Sequence, residues 1–90
     1  MMQRESPGDH QRDPRLAFGR RLRWLRKRAG LSQEALADLA GIDRTYVSGT
    51  ERGRRNISLK NICRLAAALN TQPASLLKGV SSQHEAGDER

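Results

Sequence analysis

Apolar residues recur through the middle of the chain at spacings of three and four, and Gly, Pro and capping side chains punctuate them. Phe18, Leu22, Leu25 and Ala29 fall at i, i+4, i+7 and i+11. This predicts a first helix over Arg15 to Ala29, opened by Asp13-Pro14 and stopped by Gly30. Trp24 and Leu16 lie off that stripe, and the periodicity assigns them no partner. Ser32 caps a second helix with Glu34 in its first turn, where the helix dipole favours an acid. Leu36, Ala37 and Ala40 form its inner face and Gly41 ends it. After a short turn, Asp43 caps a third helix with Tyr46, Val47 and Thr50 inward and Arg44, Thr45, Ser48 and Gly49 off the core. Ser58 then caps a fourth helix, in which Leu59, Ile62, Cys63, Ala66 and Leu69 repeat at helical spacing as far as Asn70. Pro73 opens a short fifth helix that carries Leu76 and Leu77 and closes at Gly79. Five helices between residues 15 and 79 give an all-α domain. Residues 1–14 and 80–90 are polar, carry few large apolar side chains, and read as flexible tails.

A chain of 90 residues buries one modest core. Its charge is uneven. Residues 15–79 hold 14 Lys and Arg against four acids, Glu34, Asp38, Asp43 and Glu51, a net +10, whereas residues 1–14 are −1 and residues 80–90 are −2. A basic folded segment is the footprint of a phosphate-lined partner, although an anionic membrane or an acidic protein would also suit it. No run reaches the roughly 20 apolar residues of a membrane span, and the N-terminal residues lack the apolar stretch of a signal peptide. A cytoplasmic protein with no membrane partner is the expectation.

Candidate catalytic chemistry is sparse. Cys63 is the single cysteine, so neither a disulfide framework nor a Cys pair for zinc exists, and its apolar neighbours predict a buried, unreactive thiol. His10 and His84 stand in opposite tails without ligand spacing. No enzyme activity, metal or other cofactor is expected, since catalysis needs its groups held in place.

The run from Leu31 to Asn56 resembles the helix-turn-helix of the XRE family, which includes lambdoid phage repressors, and the likeness extends over residues 15–79. Asp43-Arg-Thr-Tyr-Val-Ser-Gly, followed by Glu51-Arg and Arg55-Asn56, is especially similar to controller proteins of restriction-modification systems. Thr50 departs from the pattern, taking a place that is usually apolar. The resemblance implies a five-helix, lambda-repressor-like domain with the helix-turn-helix at helices 2 and 3. It implies that Arg44, Thr45 and Ser48 read bases, an arginine by pairing with guanine O6 and N7, a threonine by hydrogen bonding or by touching a thymine methyl, and that Arg55 reaches a base edge or a phosphate. Gln33, at a helix N-terminus, and Tyr46 match positions suited to phosphate, and Asn56, Lys60 and Asn61 are candidate phosphate contacts from the loop and the start of the next helix. Gly49 sits where other members place a reading side chain. Arg26 and Glu51 match positions that form a structural ion pair between the first helix and the end of the third. The simplest reading of Arg15, Arg20, Arg21, Arg23, Lys27 and Arg28 is a solvated basic face, with one or two of them touching phosphate.

One such helix reads only a few base pairs, so a homodimer on a near-palindromic operator is expected, with Leu76 and Leu77 as interface candidates. Bound near a promoter, it would repress by occlusion or activate by touching RNA polymerase. Two other classes fit the same residues: an antitoxin that binds operator DNA and neutralises a toxin through a tail, and a non-specific binder of RNA or anionic surfaces.

Overall fold

A computed structural model describes residues 13–81, in which the chain forms five α-helices: α1 (Pro14–Arg28), α2 (Gln33–Ala40), α3 (Arg44–Glu51), α4 (Leu59–Ala68) and α5 (Pro73–Leu76). The tails expected at residues 1–14 and 80–90 fall outside the described residues, except for 13–14 and 80–81. Local chemistry starts the helices where the sequence places the caps. Asp13, Ser32, Asp43 and Ser58 accept from the backbone N–H of Arg15, Ala35, Thr45 and Asn61 respectively, each relieving a donor that has no partner within its helix. Gly41 ends α2 at φ 72°, which lets Ile42 N–H reach back to Ala37 C=O at 3.0 Å and sends the chain directly into α3.

α1 packs on α3 and α5, α2 on α3 and α4, and α4 on α5. Phe18, Leu22, Leu36, Val47, Leu65 and Leu76 lie at the centre of the core. Gly19 makes the α1–α3 contact possible, since a Cβ there would stand 2.5 Å from the Glu51 carbonyl oxygen and 2.6 Å from that of Thr50. Nothing in the apolar periodicity marks that approach; a glycine inside a helix is the available signal.

The structure corrects several expectations. α4 turns Ile62, Leu65 and Ala66 inward, leaving Leu59 at 73% exposure and Cys63 exposed rather than buried. Positions 62, 65, 66 and 69 are themselves an i, i+3, i+4, i+7 set, and they face α2 and α5 together. Leu76 is completely buried inside its own domain, so it offers no surface to a second copy. Leu77, beside it, is 43% exposed. Ala29, expected on the inner stripe of α1, is exposed, and Gly49 is buried rather than open. Leu16 closes over Gly53, and Trp24 lies on the outside between the Arg21 and Arg28 guanidinium groups, 4.9 and 4.8 Å from its ring centroid. Arg21 also donates from Nε to the Ser75 carbonyl at 2.7 Å, fastening α5 to α1.

Candidate nucleic-acid interface

With about 100° of turn per residue, α3 buries Val47, Thr50 and Glu51 and places Thr45 and Gly49 nearest the middle of its outer surface, with Ser48 and Arg44 toward one flank and Tyr46 on the other. Arg44 and Thr45 are exposed, while Ser48 and Tyr46 are half-buried. The Asp43 carboxylate accepts from both the backbone N–H and the side-chain hydroxyl of Thr45. Those bonds, hydroxyl first, hold its carboxyl below the ordinary carboxylate range, and the positive charges of Arg44 and Arg55 act in the same direction. Thr45 is exposed, and a threonine side chain offers a hydroxyl with a methyl beside it. That pairing suits a base amino group or a thymine methyl.

α3 stops in a reversal that brings the following loop back across it. Gly53, at φ 76°, sends its N–H to Thr50 C=O at 3.0 Å, and Arg54 N–H reaches Gly49 C=O at 2.9 Å. Arg55 then doubles back over α3, its guanidinium 4.9 Å from the Tyr46 ring centroid. Thus Arg44 and Arg55, distant in sequence, stand on opposite flanks of the slim Thr45–Ser48 surface. Asn56 and Lys60 are exposed and Asn61 is half-buried at the start of α4, continuing the polar edge beyond Arg55. Behind this edge lies a mainly apolar groove lined by Pro14, Phe18, Ile57, Ile62, Leu77 and Val80, with Arg15, Arg55 and Asn56 also on its wall.

A buried network fixes the pose of the two helices. Arg26 donates from Nε to Glu51 Oε2 at 2.6 Å and from Nη2 to Glu51 Oε1 at 3.0 Å, while Nη1 donates to the Leu31 carbonyl at 2.8 Å. The hydrogen bonds to Glu51 push the Arg26 guanidinium above its usual value, against the opposing effect of burial. Gln33 Nε2 also donates to Glu51 Oε1, at 3.1 Å. The amide is therefore partly engaged and keeps one N–H for an outside acceptor at the α2 N-terminus. The Glu51 carboxylate thereby joins α1, the start of α2 and the end of α3, and Arg26 adds the α1–α2 turn through Leu31. Thr50, where the sequence departs from its apolar pattern, is 1% exposed and its Oγ1 has no hydrogen-bond partner. Among the described residues no group of three or more His, Cys, Asp or Glu is placed to hold a metal, and no helix is long and apolar enough to cross a membrane.

A family profile described as a helix-turn-helix domain matches residues 17–77. Control protein C.BamHI of Bacillus amyloliquefaciens is 47% identical over 64 residues, spanning 70% of this chain and 79% of its own length. Control protein C.MunI of a Mycoplasma species is 38% identical over 72 residues, 79% of this chain and 97% of its own. Among solved structures, the restriction-modification controller protein C.AhdI from Aeromonas hydrophila is 58% identical with a TM-score of 0.68, covering 69% of this chain and 94% of that one.

Proposed function

The chain belongs to the helix-turn-helix domain family, and from that premise we propose that it is a sequence-specific, double-stranded-DNA-binding regulator of transcription of the restriction-modification controller type. The observation that carries this reading is the outer surface of α3. A short helix is held rigidly from behind by the Arg26–Glu51 network and exposes two hydroxyls flanked by two arginines. Arg44, Thr45, Ser48 and Arg55 read base edges in the major groove. The α2 N-terminus with Gln33, and Tyr46, Asn56, Lys60 and Asn61, set the register on phosphates. The relatives named as control proteins favour this reading over an antitoxin.

The working unit is a homodimer, as expected from the few base pairs within reach of one α3. Leu59, Cys63 and Leu77, exposed on α4 and beside α5, supply apolar surface for it in place of the buried Leu76. Two copies of α3 in successive major grooves stand about 34 Å apart, which calls for a near-palindromic operator. The dimer acts in the cytoplasm and regulates by occluding a promoter or by contacting RNA polymerase. Selection from a random duplex pool at about 0.15 M salt tests the reading. A recovered palindrome is the expected result, and equal retention of all sequences refutes it. Arg44→Ala should relax preference at one position at a cost of about 1–3 kcal/mol, whereas Lys60→Ala should weaken every duplex alike. A monomer by sedimentation at micromolar concentration, with and without the recovered duplex, would refute the dimer.

A further inference from the structure

Gly49 sits in the middle of α3, where glycine lowers helix stability relative to alanine, on the very surface that faces outward. Its backbone is buried all the same, and what covers it is Arg55. A Cβ built on Gly49 would meet Arg55 Nε at 3.0 Å, Cγ at 3.4 Å and Cδ at 3.6 Å. Past Gly49, the guanidinium comes to rest over the Tyr46 ring. Residues 46 and 49 are three apart and so neighbour each other on one ridge of the helix. The ridge therefore forms a seat, with bare backbone under the stem of the arginine and an aromatic face under its head.

We propose that Gly49 is a positioning residue for DNA reading: by carrying no side chain it seats Arg55 along α3, and so sets the direction from which Arg55 meets a base pair. This rests on the reading that Arg55 faces DNA. An unseated arginine in an exposed loop has many rotamers to lose on binding, whereas a seated one has fewer. A Cβ at position 49 would force Arg55 Nε, at 3.0 Å, to give way by a few tenths of an ångström, and any bulkier side chain would occupy the seat. The same part of the groove is read either by a group grown from position 49 or by an arginine lent from the loop, and here the glycine selects the arginine. Specificity at that base pair thus depends on a residue with no side chain to touch DNA.

The test uses the full chain and three variants, Gly49→Ala, Arg55→Ala and the double substitution. Affinity is measured by fluorescence anisotropy on the duplex recovered from the random pool and on a scrambled duplex, and thermal melting is recorded in parallel. Gly49→Ala should melt at the same temperature or higher, because alanine favours helix and the displaced atom is near the far end of a flexible side chain. Its affinity for the recovered duplex should nevertheless fall about tenfold, with little change on the scrambled one. Arg55→Ala should fall about as far, and the double variant no further than Arg55→Ala alone, since both changes remove the same contact. Losses that multiply to about a hundredfold in the double variant would show that Gly49 acts without Arg55 and would overturn the proposal. So would a Gly49→Ala protein that discriminates like the parent. A parent that fails to distinguish the two duplexes would overturn the DNA-reading role itself, and this inference with it.

Discussion

Replacing Glu51 with alanine tests how the two-helix unit is held. The Glu51 side chain is 1% exposed and that of Arg26 is 9% exposed, so their ion pair operates away from water. The substitution strips acceptors from Arg26 Nε, Arg26 Nη2 and Gln33 Nε2 together, leaving only the bond from Nη1 to the Leu31 carbonyl. An uncompensated buried cation of this kind costs about 3–5 kcal/mol. Domains are stable by only about 5–15 kcal/mol, and one this small belongs near the lower end, so the variant should be close to its unfolding midpoint at growth temperature. Urea titration followed by circular dichroism at 222 nm, at one fixed protein concentration, measures the loss. Glu51→Gln keeps an acceptor oxygen and should lose less, about 1–3 kcal/mol. Replacing both partners, Arg26→Met with Glu51→Leu, should recover most of the deficit, because no charge is then stranded. A Glu51→Ala loss below about 1 kcal/mol, or a double variant as unstable as the single, would refute the reasoning.

Gly19→Ala should destabilise the domain by about 2 kcal/mol despite alanine's better helix propensity, because the new methyl would meet two backbone carbonyls rather than a side chain that can turn aside; the urea midpoint reports it. Thr50→Val removes a buried hydroxyl that has no partner and should add about 1 kcal/mol, seen as a melting temperature higher by about 4–8 °C. Asp43 supplies a pH dependence of known sign. Its folded carboxyl titrates below the unfolded value of about 3.9, so its contribution is complete above that value and disappears as pH falls through the lower folded one. Between pH 6 and pH 3 the parent should therefore lose more melting temperature than Asp43→Asn, which keeps a capping oxygen but has no proton to gain there; equal losses would contradict the assignment.

The parts of this molecule that were legible in its sequence are those decided within a few residues. Asp13, Ser32, Asp43 and Ser58 cap the helices where short-range hydrogen bonding demands, and α3 exposes Arg44 and Thr45 because its few apolar members fix its rotation. The inward face of α4 was legible only in part: Ile62 and Ala66 are buried and Leu69 packs against the core as the spacing predicts, but Leu59 and Cys63 are as apolar as Leu65 and the choice among them rests on how α2 and α5 flank the helix. The burial of Leu76 was hidden for the same reason. On a four-residue helix, adjacent leucines look alike until α1 closes over one of them. In the candidate site, the course of Arg55 was not readable, since it depends on the reversal at Gly53 and on a bare Gly49 to lie across. The role of Leu16 likewise exists only once Gly53 comes beneath it.

Trp24 gives the protein an optical use. It is the chain's single tryptophan, and it sits on the outside of α1 between two guanidinium groups, on the side where Arg21 reaches α5 and away from Gly19 and Arg26, which face α3. Its emission therefore reports on a surface separate from the α3 surface proposed to face DNA. A duplex settling on α3 leaves the indole's surroundings in place, whereas a protein arriving on the back of α1 displaces the flanking arginines and shifts the spectrum. The two kinds of arrival can be told apart in one cuvette without attaching a dye.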